Sequence, residues 1–438
     1  MLSILGLAIY LVFEFIRPEI LFPDMTFPLM FWVAVGTLII WLGEMMLRGW
    51  NWQSFYSTRF FGCFVAVCLL SSVFNHSSLA KVLGDFQDVA KLFCIFLVLL
   101  ESVDTEWRFK FIYCVMMALI LLLALEGVGY SLGWGVHGFR FDVQGRLEYS
   151  GIFKDSNDLG QLWAVGWTLI LFHFVNGKGA WKKIADVLLL VLLAWAMLLT
   201  ASRGTMLAAI FGVFLCGRHR FGIWRPAIFA ILIFVVMHVA GIARMNLLAG
   251  ESSSEDRVIA WGQGWYMLRS HPLFGVGLHN FEKSHFLAPH STLVQVGAET
   301  GLLGLFCWVG LFYSALRRTI LNLIRRQSSS SVSATGSDYR EVQMQAAVLV
   351  CIVSSLFLSR AYMLPLYLLL GLVLVATRIH RQVSTEIVES EEIVESEDRD
   401  AEDLLFPIGW VSTRQIAVAL VTCIFYWRFM ARHFIDGI

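Results

Sequence analysis

Four of the eleven histidines, His271, His279, His285 and His290, fall within one stretch, residues 244–290, alongside Arg244, Arg257 and Arg269. Their spacings of 8, 6 and 5 match no zinc pattern, HExxH is absent from the chain, and the nearest carboxylate is Glu282. No metal and no cofactor are therefore expected. An imidazole titrates near 6.5, so His290, at the close of this stretch, is suited to take a proton from a hydroxyl. A histidine at a helix start equally serves as a cap or an interface residue. Arg203, in Ala-Ser-Arg-Gly, opens an apolar run of only 13 residues, Gly204 to Cys216. At 1.5 Å per residue that run covers about 20 Å of a ~30 Å hydrocarbon core. An arginine so placed either snorkels to the headgroups or meets an anion. Arg203 and Arg257 present planar forks that match phosphate oxygens in pairs, and a lipid diphosphate suits such a position better than a soluble nucleotide. No P-loop or dinucleotide fingerprint is present: Gly275-Val-Gly277 is followed by Leu-His-Asn, and turns account for those glycines.

What must hold these groups is an apolar scaffold. The 438 residues are 58% hydrophobic and 15% charged, with mean hydropathy +0.70, which excludes a soluble globule, a disordered chain and a disulfide-stapled miniprotein. The expected class is all-α, a polytopic membrane protein of about twelve transmembrane helices. The runs are Leu2 to Ile16, Phe27 to Leu42, Phe60 to Phe74, Val89 to Val103, Phe109 to Gly129, Leu159 to Val175, Ile184 to Ala201, Gly204 to Cys216, Ala227 to Ala243, Leu293 to Leu316, Ala346 to Leu358 and Met363 to Ala376. The first lacks a basic leader and a small-residue cleavage site, so it reads as a retained helix. All eight cysteines sit in apolar segments without a CxxC pair and behave as small hydrophobes. Formal net charge is zero, and no nucleic-acid partner is expected; membrane lipids are.

Charge placement sets orientation. Lys178, Lys182 and Lys183, then Arg218, Arg220 and Arg225, then Arg317, Arg318, Arg325, Arg326 and Arg340 fall on one side, which the positive-inside rule makes cytoplasmic. A transmembrane unit thus occupies residues 1–380, with outward loops at about 130–158 and 244–290. An acidic cytoplasmic tail follows at 381–404, holding the repeat EIVESE at Glu386 to Glu391 and Glu392 to Glu397. Residues 405–438 carry a short apolar run, Ile416 to Trp427, read as an interfacial or extra transmembrane helix. Ser328 to Ser337 reads as a flexible inner linker. The single Asp-x-Asp, Asp398 and Asp400, lies in the inward tail, away from any outward site.

Three stretches in this order resemble the bacterial O-antigen ligase and O-antigen polymerase superfamily of membrane glycosyltransferases. They are Gly151-Ile-Phe-Lys-Asp-Ser-Asn157; Thr200-Ala-Ser-Arg203-Gly204; and Arg257 with Trp261 followed by His271-Pro272-Leu273-Phe274-Gly275-Val276-Gly277 and His290 to Gly304. The ligase-type pattern His-[Asn/Ser/Gln]-x9-Gly-x-x-Gly is met by His290, Ser291, Gly301 and Gly304, and Gly301 and Gly304, three apart, share a helix face suited to close backbone approach. Leu305 follows where ligases often carry Thr or Val, which leaves polymerase open.

The resemblance implies metal-independent transfer at the periplasmic face of the inner membrane. The donor would be a glycan on undecaprenyl diphosphate and the acceptor a sugar hydroxyl of lipid A core or of another glycan. It implies His290 as base, Arg203 and Arg257 neutralising the leaving diphosphate, and direct displacement with inversion. Asp155, Asn157 and Ser291 are substrate contacts in that reading, though Asp155, Asn157 and Asp158 also suit capping of the sixth span. Arg146 and Arg269 are reserve phosphate or sugar contacts, or solvated loop residues. Polymerase and protein O-oligosaccharyltransferase are the alternative enzymes. A lipid-linked glycan transporter is the alternative class, kept open by His173 and His238 within spans.

Overall fold

The computed structural model describes residues 2–22, 27–49, 52–76, 78–240, 252–284, 288–324 and 336–392, with positions 420, 421, 424 and 428 beyond them. Arg244, His285, nearly all of the 328–337 linker, the second EIVESE copy apart from Glu392, Asp398, Asp400 and most of Ile416 to Trp427 lie outside the described residues.

Hydrocarbon supplies no water to satisfy backbone groups, so an apolar chain must close its hydrogen bonds within helices. Among the described residues, the twelve apolar runs each lie mostly on helices. These are α1 (Leu2–Ile16), α3 (Leu29–Arg48), α4 (Trp52–Asn75), α5 (Leu79–Ser102), α6 (Glu106–Ser131), α7 (Ser156–Asn176), α8 (Ala180–Thr200), α9 (Arg203–Phe221), α10 (Trp224–Val239), α13 (Thr292–Ile324), α14 (Gly336–Ser355) and α15 (Leu364–Glu392). Three more helices link them: α2 (Pro18–Leu21), α11 (Ser252–Ser270) and α12 (Phe281–Ser284).

Among the described residues, seven helices are long and apolar enough to cross a membrane: α3, α4, α6, α7, α8, α13 and α15. The other five expected spans fall short in length or in apolar character. α1 and α10 have 15 and 16 residues, while α5, α9 and α14 carry charges within the helix. The chain is thus an all-α, multi-pass membrane protein with one exception to pure helix. Strands β1 (Phe139–Phe141) and β2 (Leu147–Tyr149) pair antiparallel in the 130–158 loop, Phe139 opposite Tyr149. α15 continues past the last expected apolar run to Glu392, so residues 381–392, with the first EIVESE copy, are helical.

The chain divides into two units. The first comprises residues 1–49, 102–249 and 338–354. Here α7 packs on α8 and α9, and α1 on α3 and α6, around fully buried Trp163, Phe172, Ile112 and Leu123. Amide side chains fasten α14 to α7: Gln161 Nε2 donates to Cys351 O (2.9 Å) and Ser354 Oγ (2.7 Å), and Gln343 Nε2 donates to Leu169 O (2.8 Å). Polar groups act as interhelical glue where lipid tails remove the hydrophobic incentive to associate.

The second unit comprises residues 50–101, 250–337 and 355–438, in which α13 packs on α4, α11 and α15. Its centre is aromatic. Phe61 stacks on Tyr367 (4.6 Å between ring centroids) and meets Phe96 edge-on (5.0 Å).

Candidate functional site

In the second unit, α11 sets the position of His290. Arg257 and Trp261 are one turn apart and share a helix face. The Trp261 indole packs against a cluster that includes Ala260, Met267, Phe281 and Val294, and its Nε1–H donates to the Pro289 carbonyl (2.9 Å). Pro289 is buried, and the next residue, His290, takes a left-handed backbone (φ 44). Such a backbone costs roughly 1–2 kcal/mol without glycine and persists only where the surroundings impose it. Buried Ser291 then opens α13, its carbonyl accepting from Gln295 N–H (2.9 Å). A Trp261→Phe substitution keeps the packing but strands the Pro289 carbonyl. We expect a loss of about 1–3 kcal/mol in thermal unfolding and a drop in the turnover assayed below, because the His290 turn loses its anchor.

α13 is not continuous. Gly301 departs from helical geometry (φ 68), and the chain from His271 to Gly277 fills the break. Val276 N–H donates to Ala298 O (2.9 Å), Gly277 N–H to Glu299 O (3.1 Å) and Leu302 N–H to Pro272 O (2.8 Å). From α4, Ser71 Oγ–H also donates to Glu299 O (2.7 Å), and Asn75 Nδ2 donates to Gly275 O (3.1 Å). The Gly301–Gly304 pair therefore does not form the shared helix face expected from its spacing. Gly301 is where the helix breaks and the 271–277 loop docks backbone to backbone. A Cβ on Gly304 would meet Thr300 of its own helix first.

Before the break, Thr292, Gln295 and Glu299 project along one face of α13 and hold the loop between α14 and α15. Thr292 Oγ1 donates to Leu358 O (2.6 Å) and accepts from Arg360 N–H (3.1 Å); Gln295 Oε1 accepts from Ala361 N–H (3.3 Å); Glu299 Oε2 accepts from the Tyr362 hydroxyl (2.9 Å). The Glu299 carboxylate, 1% exposed, also accepts from the backbone N–H groups of His279 and Phe281. Burial pushes the Tyr362 phenol well above its ordinary range, and the Glu299 charge adds to this, so Tyr362 stays a donor. These elements enclose a cavity of about 240 Å³ lined by His279, Pro289, Gln295, Glu299, Arg360 and Tyr362. His290 follows directly on one of its walls.

Nearby, burial first and the Lys81 charge second lower the His76 imidazole's pKa, against the pull of Asp85 at 3.0 Å. Arg269 is exposed in the last turn of α11, where a cation complements the helix dipole. His271 is exposed, its Nδ1 3.1 Å from Ser270 Oγ. Glu299 and Arg360 were not singled out from the sequence. A carboxylate within an apolar run was the available signal for Glu299. For Arg360 it was a lone arginine in a four-residue outward connector, Ser359 to Tyr362.

The remaining expected residues belong to the first unit. Arg203 is the first residue of α9, after Ala201 in a left-handed cap (φ 46) and Ser202, whose side chain accepts from Thr205 N–H (3.3 Å). α9 has 19 residues, about 28 Å, because it continues through Arg218 to Phe221. The expectation of a helix too short for the core does not hold, and Arg203 stands instead at the end of a helix of ordinary length. α7 begins beside this turn: a Cβ on Gly160 would strike Thr205 Oγ1, which leaves the first turns of α7 and α9 side by side. Asp155 caps α7, its Oδ1 accepting from Asn157 N–H and Asn157 Nδ2, both at 2.7 Å. Arg146 closes the β1–β2 hairpin through Asp142 (Nε to Oδ2, 2.8 Å). Burial alone would raise the Asp142 pKa, but hydrogen bonds from Arg146 and the Gln144 N–H outweigh it and hold the carboxyl below its usual range.

Residues 188–309 match the family model described as O-antigen ligase. That segment contains Arg203, Arg257, Arg269, His290, Ser291, Gly301 and Gly304; Arg146, Asp155 and Asn157 precede it. No curated protein matches the chain. Over that segment this multi-pass membrane protein is similar to the O-antigen ligase family.

Proposed function

We propose that the protein is a ligase-type glycosyltransferase of the bacterial inner membrane, moving a glycan from undecaprenyl diphosphate to a sugar hydroxyl of lipid A core at the periplasmic face. The observation that carries this reading is that a single family match spans Arg203, Arg257 and His290. His290 accepts the proton of the acceptor hydroxyl as that oxygen bonds to the anomeric carbon; the bond from this carbon to the diphosphate breaks, and undecaprenyl diphosphate departs. One displacement inverts the anomeric centre. Because a diphosphate leaves with its charge already delocalised, it needs cations rather than a general acid, and this is the role assigned to Arg203 and Arg257. Asn157, Arg269 and Ser291 are proposed as sugar contacts. Asp155 and Arg146 are proposed as further substrate contacts, beside capping α7 and closing the hairpin.

Polymerase chemistry differs only in the acceptor, and protein O-oligosaccharyltransferase is the next alternative. The transporter reading draws less support, since His173 and His238 occupy the last turns of α7 and α10 rather than helix centres. His173 Nδ1 lies 2.7 Å from Asp186 Oδ2.

The test is transfer from purified undecaprenyl diphosphate glycan to lipid A core, with glycan alone as the competing acceptor and chelator present throughout. Transfer to lipid A core is expected; chain growth without it would indicate a polymerase. In the same assay, Arg203→Lys keeps the charge but loses the fork, so kcat/KM is expected to fall about 10²-fold. A wild-type rate would remove Arg203 from the reaction.

A further inference from the structure

The cavity of the second unit is built unlike a phosphate site. Asp88 and Glu282 at its rim set two carboxylates against one guanidinium, that of Arg360, while the Glu299 carboxyl in its wall is already held by the Tyr362 hydroxyl. Lys91, 3.1 Å from Asp88, offsets one of these charges at the rim. A phosphate entering would meet carboxylates where it needs cations. A sugar ring would find what it needs: Gln295 offers a donor and an acceptor on one side chain, Arg360 donates, and Phe281 and Tyr362 present aromatic surface.

His279 is the most telling group. It holds a left-handed backbone (φ 54) and meets the Tyr362 ring edge-on (5.3 Å between centroids). Its Nε2 is buried with no hydrogen-bond partner among the described residues. A buried ring nitrogen without a partner, on a strained backbone, in the wall of a cavity, is a group shaped for a ligand. Pro289, also in the wall, directly precedes His290.

We propose that this cavity is the acceptor subsite, that it takes an uncharged sugar ring, and that His279 hydrogen-bonds the ring and sets the preference for it. The proposal rests on the glycosyl-transfer reading above and names the half of the reaction that the arginines do not serve.

The test uses the full-length protein in proteoliposomes, with methyl glucoside and methyl glucoside 6-phosphate as acceptor probes. Binding is read by saturation-transfer NMR and transfer by initial rates. Wild type is expected to contact and use methyl glucoside in preference to its phosphate. His279→Asn, which tolerates the left-handed backbone but withdraws the ring nitrogen, is expected to raise the acceptor KM about tenfold while the donor KM stays put. Glu282→Lys, on the exposed rim, is expected to narrow the preference over the phosphate about tenfold. Equal use of both probes by wild type, or a rise in donor KM instead of acceptor KM, overturns the subsite. Transfer unaffected by either variant overturns it too and leaves the glycosyl-transfer reading standing. NMR contact that His279→Asn abolishes, in a protein that transfers nothing to any acceptor, supports the subsite and overturns that reading.

Discussion

His290→Ala is expected to lower transfer about 10²- to 10⁴-fold, the range a positioned general base contributes. The turn that carries it keeps the Trp261 indole on the Pro289 carbonyl and the Ser291 carbonyl on Gln295 N–H in this variant. His290→Gly separates chemistry from backbone strain. Glycine adopts the φ of 44 freely, so it is expected to be more stable than alanine there by up to about 1 kcal/mol, yet as inactive. A glycine variant that keeps the wild-type rate would show that the turn, not the ring, is what transfer requires. The measurements are initial rates with saturating lipid A core and melting curves in the same detergent.

How much of this could be read from the residues depends on how local each signal is. Each apolar run announces its own helix, because length and the lack of charge are enough to require one. Asp155 likewise declared itself a cap by residue type and position, and the oxygen bonded to Asn157 N–H is that cap. The break at Gly301 was not legible. Gly301 and Gly304, three apart in an apolar run, match a helix-packing pattern, and only the docking of His271–Gly277, some 25–30 residues upstream, makes one of them a discontinuity. The α9 run looked short because Gly217 to Phe221 is polar, although the backbone stays helical through it. The face formed by Thr292, Gln295 and Glu299 has helical spacing, but its partners lie 63 to 68 residues away, and no local pattern joins them. Strain, too, is invisible in a sequence. Of the four non-glycine residues with positive φ among those described, His279 and His290 flank the cavity and Ala201 sits two residues before Arg203.

Gly275→Ala is expected to be among the most damaging conservative substitutions in the second unit, costing about 3 kcal/mol or more. Two independent penalties add. Gly275 has φ 69, a conformation that costs an alanine roughly 1–2 kcal/mol. The new Cβ would also press on the Glu299 carbonyl carbon and lie 2.5 Å from both Ala298 O and Thr300 N. All three are backbone atoms of α13, and none can rotate aside as a side-chain tip would. Relief requires the loop to lift from the break, which pulls Val276 and Gly277 N–H from Ala298 and Glu299 O and Asn75 Nδ2 from Gly275 O. Lifting also moves His279, whose N–H reaches the Glu299 carboxylate, so the cavity opens with the loop. Thermal unfolding of the full chain checks the stability term, and backbone hydrogen exchange at Val276 and Gly277 checks the mechanism. Gly84→Ala, in the same unit, is the control, because a Cβ there meets nothing within 4 Å and its backbone is not left-handed. If the two variants melt together, the docking of the 271–277 loop into α13 is not what holds this unit.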